Sequence, residues 1–261
     1  MKTIVAKTWV VIGCLAFLAA PASADSLDDL LARTSKQVTE FLDQFSQVKC
    51  SEHVEQEKLN KDGKIEVKQE STYDYLVILT NAGGEVTLDE SRLEVKPAKA
   101  EKKNRAMLIS NGFATLFLIF HPYYSGGFQF AQLEDEVIDG RRFSKVSFRH
   151  IHGSRTPAAL SLRGKEYPLE LSGTAVIDPV TGAITRIDAG IGDTMDDVGL
   201  NLLRSEIQYA PVTFKGVKET LWFPAEARVE VETPRQHWRN VHRFTDYKQF
   251  SVSTEEQVAK Q

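Results

Sequence analysis

His150 and His152 are two residues apart in an alternating run, which would place both side chains on one face of a strand, as two imidazole ligands of a metal require. A third ligand would have to come from His121, His237 or His242, and no spacing supplies it. Hydrogen bonding or solvation is the ordinary use of such histidines, so no metal is assigned. Asp193, Asp196 and Asp197 lie in a loop between glycines and could contact calcium. They lack the alternating Asp-x-Asp-x-Asp-Gly order of a calcium loop and read as a solvated acidic turn. Nucleophilic catalysis fares no better. No Gly-x-Ser-x-Gly elbow occurs, and Ser46-Gln47-Val48-Lys49 matches Ser-x-x-Lys without that class's companion motifs. Cys50 sits in no catalytic-cysteine context, and a buried structural thiol is the commoner case. No phosphate-cradling glycine loop is present; Gly126-Gly127 reads as a flexible connection. The polar residues therefore point to a non-catalytic protein without a cofactor.

The apolar residues are more informative. Phe113, Leu116, Phe117 and Phe120 fall at i, i+3, i+4 and i+7, with Leu118 and Ile119 on the other side. That spacing predicts a short helix, apolar nearly all round, ending at His121-Pro122 because proline cannot continue the ladder. Such a helix is buried or covers an apolar cavity, and eight residues cannot span a bilayer. Ordinary core packing accounts for most of the 14 phenylalanines. Phe113, Leu116, Phe117 and Phe120, with Tyr73 and Tyr75 on the inward face of a long strand, are the candidate ligand contacts.

The elements that must position these residues follow from periodicity. Ser26 caps a helix whose first turn carries Asp28 and Asp29. Its stripe runs through Leu27, Leu30, Leu31, Val38, Phe41, Leu42, Phe45 and Val48, with one step missing at Thr34. Its polar face mixes both charge signs, so packing on the protein's own core accounts for it better than a membrane surface does. Alternation then takes over. Strands are expected over 53–59, 64–79 and 85–95, with turns at Asp62-Gly63 and at 81–84. Further strands are expected over 128–138 and 141–151 about Asp139-Gly140, over 173–177 and 183–187 about residues 178–182, and over 203–214 and 218–223 about Gly216. The pattern continues through Phe223–Val231 and closes with Trp238, Asn240, His242 and Phe244. Together these predict a mainly β protein with a single strongly curved antiparallel sheet of about ten strands. The sheet forms a half-open barrel covered by the N-terminal amphipathic helix and the short apolar helix. No repeat or composition break divides residues 25–261, which are expected to form one domain and a monomer.

Residues 1–24 set the compartment. Lys2 and Lys7 precede an apolar stretch over 8–20, and Ala22-Ser23-Ala24 is a small-x-small cleavage pattern, so a secretory signal peptide and a periplasmic protein from Asp25 are expected. Val11-Ile12-Gly13-Cys14 matches a lipoprotein processing site, but too few apolar residues precede Cys14, and soluble export is the better account. Losing Lys2 and Lys7 takes the formal net charge from -4 to -6, leaving no footprint for nucleic acid. Cys50 then stands alone, so no intramolecular disulfide contributes and stability must come from packing. The lysine-rich stretch 96–105 reads as a solvated loop, with contact to an acidic partner or a membrane headgroup as its other use.

An exported chain with one amphipathic helix, meandering strands and a short oily helix resembles the Lol-type superfamily of periplasmic lipoprotein carriers and lipoprotein-sorting proteins. The most suggestive segment is Gly173-Thr-Ala-Val-Ile-Asp-Pro-Val-Thr-Gly-Ala-Ile-Thr-Arg-Ile-Asp188, similar to the Asp-Pro-x-Thr-Gly hairpin that recurs in such barrels. The resemblance implies an unclosed β-barrel whose apolar cavity takes acyl chains under a helical lid, hence a lipid or a lipidated protein as partner. The alternative is a structural or interaction protein of the envelope with a filled core.

Overall fold

A computed structural model describes residues 26–82, 85–95, 113–162, 164–214 and 220–250. The signal-like segment 1–24, the lysine-rich stretch 96–105 and the turns at Gly83-Gly84 and Gly216 lie outside the described residues. The first helix, α1 (Leu27–Phe45), begins where its cap chemistry says it should. The Ser26 hydroxyl accepts the backbone N–H of Asp29, and Asp28 and Asp29 fill the first turn. Thr34, the gap in the apolar stripe, is itself wholly buried.

Thirteen strands follow: β1 (Val48–Leu59), β2 (Ile65–Ala82), β3 (Glu85–Glu94), β4 (Phe128–Gln132), β5 (Glu136–Ile138), β6 (Arg141–His150), β7 (Ala159–Leu162), β8 (Lys165–Pro168), β9 (Leu171–Ile177), β10 (Ile184–Ile191), β11 (Leu202–Val212), β12 (Leu221–Thr233) and β13 (Gln236–Gln249). Eleven of them form one antiparallel sheet in the order β3-β2-β1-β13-β12-β11-β10-β9-β6-β4, with β5 added on β6. β7 and β8 pair apart from it as a small hairpin. The turns use the chemistry read from sequence. Asn60 Oδ1 accepts the N–H groups of Asp62 and Lys64 while Gly63 takes φ +73°, and Asp139 and Gly140 both take positive φ between β5 and β6.

The sheet curls but does not close on itself, since β3 and β4, its two ends, share no ladder among the described residues. A four-residue helix, α2 (Pro122–Ser125), immediately precedes β4, and Tyr124 on it donates its buried hydroxyl to the Val86 carbonyl of β3 at 2.9 Å. The seam of the barrel is thus bridged by a side chain rather than by a strand pair.

One register row shows what the concave face is made of. Val146, Ala175, Ile187, Ile207, Ala227, His242 and Val54 lie side by side across β6, β9, β10, β11, β12, β13 and β1, and all are buried. The row is aliphatic until it reaches β13, where a histidine interrupts it.

Several expectations need correction. Residues Phe113–Phe120 form a 3-10 helix, not an α-helix. The α spacing was not decisive there, because Leu116, Phe117, Leu118, Ile119 and Phe120 are all buried and no polar side exists to set a period. His121-Pro122 ends that helix and also starts the next, His121 Nδ1 accepting the Tyr123 N–H with Pro122 in the first turn. Gly126-Gly127 is no loose connection: a Cβ on Gly127 would lie 2.3 Å from the Arg155 carbonyl oxygen. The expected strand over 128–138 is two strands broken at 133–135, and the β7–β8 hairpin has no counterpart among the expected elements.

Candidate functional site

The apolar half of the concave face, over β6, β9, β10, β11 and β12, is covered by α1 and the 3-10 helix. Phe41 and Phe45 on α1 stack at 5.2 Å, and Phe41 meets Phe117 edge-on at 5.0 Å. Both α1 rings reach Phe223 on β12, at 5.2 and 5.8 Å. Phe120, at the far end of the 3-10 helix, packs on Phe130 of β4 and Phe148 of β6. These rings meet in stacked, tilted and edge-on contacts, and Phe41, Phe45, Phe117, Phe120, Phe148 and Phe223 are all buried. The space left among Gln37, Val38, Phe41, Phe117, Ala183, Ile184, Tyr209 and Trp222 is about 20 Å³. That holds one water, against which the otherwise unpartnered Tyr209 hydroxyl can be satisfied, but not an acyl chain. Among the described residues, that side of the concave face is occupied by side chains of α1 and the 3-10 helix.

The seat of α1 is built by the hairpin between β9 and β10. Asp178 accepts the Val180 N–H on its side chain and the Gly182 N–H on its carbonyl, and its other carboxylate oxygen takes Arg141 at 3.0 Å. This presents Gly182 (φ +77°) to the helix so closely that a Cβ there would lie 2.8 Å from the Arg33 carbonyl carbon and oxygen and 2.9 Å from the Thr34 nitrogen. Backbone meets backbone at this contact. The absence of a side chain at 182 is what the approach requires.

The other half of the concave face is ionic. Glu52, wholly buried on β1, accepts Arg92 Nε at 2.5 Å and Nη2 at 3.0 Å, while Arg92 Nη2 also pairs with Glu90 at 2.8 Å. His242 Nδ1 lies 2.8 Å from Glu52 Oε1, the oxygen that also accepts Arg92 Nη2. Burial pushes the Glu52 carboxyl up, but hydrogen bonds from His242 and Arg92 outweigh it and hold the group below its ordinary range. Burial also pushes His242 below its ordinary value, outweighing the nearby carboxylate, so the ring is neutral and donates from Nδ1. Arg92 lies over the Tyr75 ring, which is edge-on to Phe244. Cys50, also buried here, has its thiol pushed up to about 12, first by desolvation. A thiol so held is no nucleophile.

Of the residues singled out from sequence, Leu116, Phe117 and Phe120 are all buried, Phe117 against Phe41 and Phe45 of α1 and Phe120 against Phe130 and Phe148 of the sheet. The side chain of Phe113 is not among those described. Tyr75 is buried and Tyr73 half-buried, both on the inward face of β2, but beside Glu52 and Arg92 rather than beside the phenylalanines. His150 and His152 do not share a face, because β6 ends at His150 and His152 lies in the turn beyond, paired with Glu170. Among the described residues no group of three or more His, Cys, Asp or Glu side chains is arranged to hold a metal ion. Asp193, Asp196 and Asp197 stay exposed. Sequence reasoning missed Glu52 and Arg92, and placed His242 on the closing strand without its Glu52 partner. The signal for Glu52 was there: it takes an inward place in the alternation Val48, Cys50, Glu52, Val54.

No family model matches the chain, and no curated protein matches it. Among solved structures, the chain is similar to a DUF1329 family protein from Desulfovibrio piger at 13% identity and a TM-score of 0.43, over 88% of this chain and 96% of that one. It is also similar to an outer membrane lipoprotein-sorting protein domain from Vibrio parahaemolyticus at 10% identity and a TM-score of 0.38, over 87% and 95%. Neither score reaches 0.5, so the functional reading rests on this chain's own residues. Among those described, no helix is long and apolar enough to cross a membrane.

Proposed function

We propose that the chain is an exported, non-catalytic module that binds a lipid or a lipidated group on the apolar half of its concave sheet, and that α1 and the 3-10 helix occupy that site in the unliganded state. One observation carries this reading. The apolar interior is closed by helical elements held through side chains and one glycine contact, over a sheet whose seam is unpaired. Phe117, which Phe41 and Phe45 of α1 cover, is the residue a ligand would meet first once α1 lifts, with Phe113, Leu116 and Phe120 along the same helix. Tyr73 and Tyr75 mark the polar border. Export by the segment 1–24 places this chemistry in the periplasm, beside membranes whose acyl chains could be cargo, and contact with such a membrane would be peripheral.

The small residual volume favours a second reading, a filled structural or interaction protein of the envelope. Native mass spectrometry separates the two, using protein purified without detergent and then incubated with a diacylated lipopeptide. The carrier reading expects a one-to-one adduct together with faster amide exchange in α1. Absence of any adduct, with exchange in α1 unchanged, overturns it in favour of the filled protein.

A further inference from the structure

The short helix α2 stands between the two ends of the sheet and is held very unequally by them. On the β4 side its contacts are several. The Gly127 N–H donates to the Tyr124 carbonyl at 2.8 Å, and the Ile151 N–H donates to the Gly127 carbonyl at 2.9 Å. The Arg155 guanidinium lies 3.9 Å over the Tyr123 ring, and its Nη1 donates to the Tyr123 carbonyl at 3.3 Å. Towards β3, among the described residues, α2 offers the Tyr124 hydroxyl and its 2.9 Å bond to the Val86 carbonyl. Strand parity shows why that carbonyl is available. The Val95 N–H bonds the Thr72 carbonyl, so every second residue of β3 counted back from Val95 turns its backbone groups to β2. Val86 falls on the other parity, and its carbonyl points into the seam.

Both lips of the seam are apolar. Val77 and Val86 are buried on the β3 side, and Phe128 is buried and Phe130 half-buried on β4. Phe120 of the 3-10 helix packs on Phe130. A gap between the lips therefore leads to the apolar interior by way of the 3-10 helix rather than of α1. No ladder crosses the seam among the described residues, so parting the lips breaks no strand pair there. We propose that Tyr124 is a latch, and that the barrel opens sideways when its bond to Val86 breaks, with α2 and β4 moving as one lip and β2 and β3 as the other. One net hydrogen bond sets the open population within a factor of about three to ten. The latch is a property of the fold, and only the identity of what enters through it rests on the lipid-binding reading.

The reactivity of a thiol placed behind the seam tests this. Val86→Cys, in a chain that also carries Cys14→Ser, keeps the carbonyl that Tyr124 bonds and puts a thiol where the valine is only 6% exposed. Native Cys50, buried in the ionic half of the barrel, is the internal reference for loosening elsewhere. Adding Tyr124→Phe should speed labelling of the introduced thiol by Ellman's reagent about three- to tenfold and leave Cys50 unchanged. Tyr209→Phe removes a buried hydroxyl without a partner among the described residues and should change neither rate. Val77→Cys, buried on the same lip, carries the test if the Val86 variant fails to fold. Labelling that Tyr124→Phe does not speed, or speeds equally at Cys50, overturns the latch. Faster labelling in Tyr124→Phe with no adduct on incubation with the diacylated lipopeptide upholds the latch and removes the lipid.

Discussion

Replacing Gly182 by alanine tests whether the β9–β10 hairpin anchors α1. Two costs arise at this position, and another glycine separates them. Gly153 has the same backbone conformation, φ +76° against +77°, but nothing lies within 4 Å of where its Cβ would stand. Gly153→Ala should therefore cost only the left-handed conformation, about 1–2 kcal/mol. Gly182→Ala carries that cost and adds a methyl 2.8 Å from helix backbone that has no side-chain rotamer to yield. Overpacking of this kind costs a further 1–3 kcal/mol or so, giving about 2–5 kcal/mol in all. The helix can also escape by lifting, and then the loss appears locally. Urea unfolding of both variants gives the global difference, and amide hydrogen exchange across α1 gives the local one. The expected result is faster exchange over α1 in Gly182→Ala alone, with β6, β9 and β10 protected as before. Equal losses in the two variants, or unchanged exchange in α1, would show that the hairpin does not seat the helix.

The same contact makes Thr34 informative. Its hydroxyl is buried without a partner among the described residues, so Thr34→Val should raise stability by about 1 kcal/mol and slow exchange in α1, read by the same two methods. The ionic half of the barrel should make the fold acid-labile. Glu52 has a lowered folded-state pKa, so its contribution is present above its unfolded value of 4.5 and is lost as pH falls through the folded one. His242 is lowered too, so the unfolded chain takes up the proton first and stability declines as pH drops below 6.5. The urea midpoint should fall in two stages, and His242→Gln should remove the upper one; a profile flat down to 4.5 would refute this. Cys50, buried with its thiol pushed up to about 12, should resist a thiol reagent at neutral pH until urea unfolds the chain, as titration with Ellman's reagent would show.

Much of the frame was legible because it is written in local rules. The Ser26 cap, the Asn60–Gly63 and Asp139-Gly140 turns and the alternation along β12 and β13 each depend on residues close in sequence, and each stands where those rules put it. Legibility failed where the deciding partner is distant. Nothing near Gly182 says that Arg33 and Thr34 press on it, and nothing near Glu52 says that Arg92 and His242 meet it from 40 and 190 residues away. The 3-10 helix was misread for another reason. Periodicity needs contrast between faces, and residues 116–120, all buried, offer none.

The division of the concave face constrains what a ligand could do there. Hydrocarbon laid over Glu52, Arg92 and His242 would meet a buried ion pair and a polar ring instead of apolar surface, and would gain nothing there. On the lipid-binding reading an acyl chain is thus confined to the aliphatic rows of β6, β9, β10, β11 and β12, which Phe41, Phe45 and Phe117 already cover. Ligand and helix compete for one surface. The observed affinity must then be the intrinsic one reduced by the small fraction of molecules in which α1 has lifted. It follows that substitutions at the Gly182 contact, which touch no ligand, should tighten lipid binding as they loosen the helix, while Thr34→Val should weaken it. A filled structural barrel predicts no binding in any of the three proteins, so the opposite signs of the two variants distinguish a plugged site from a core.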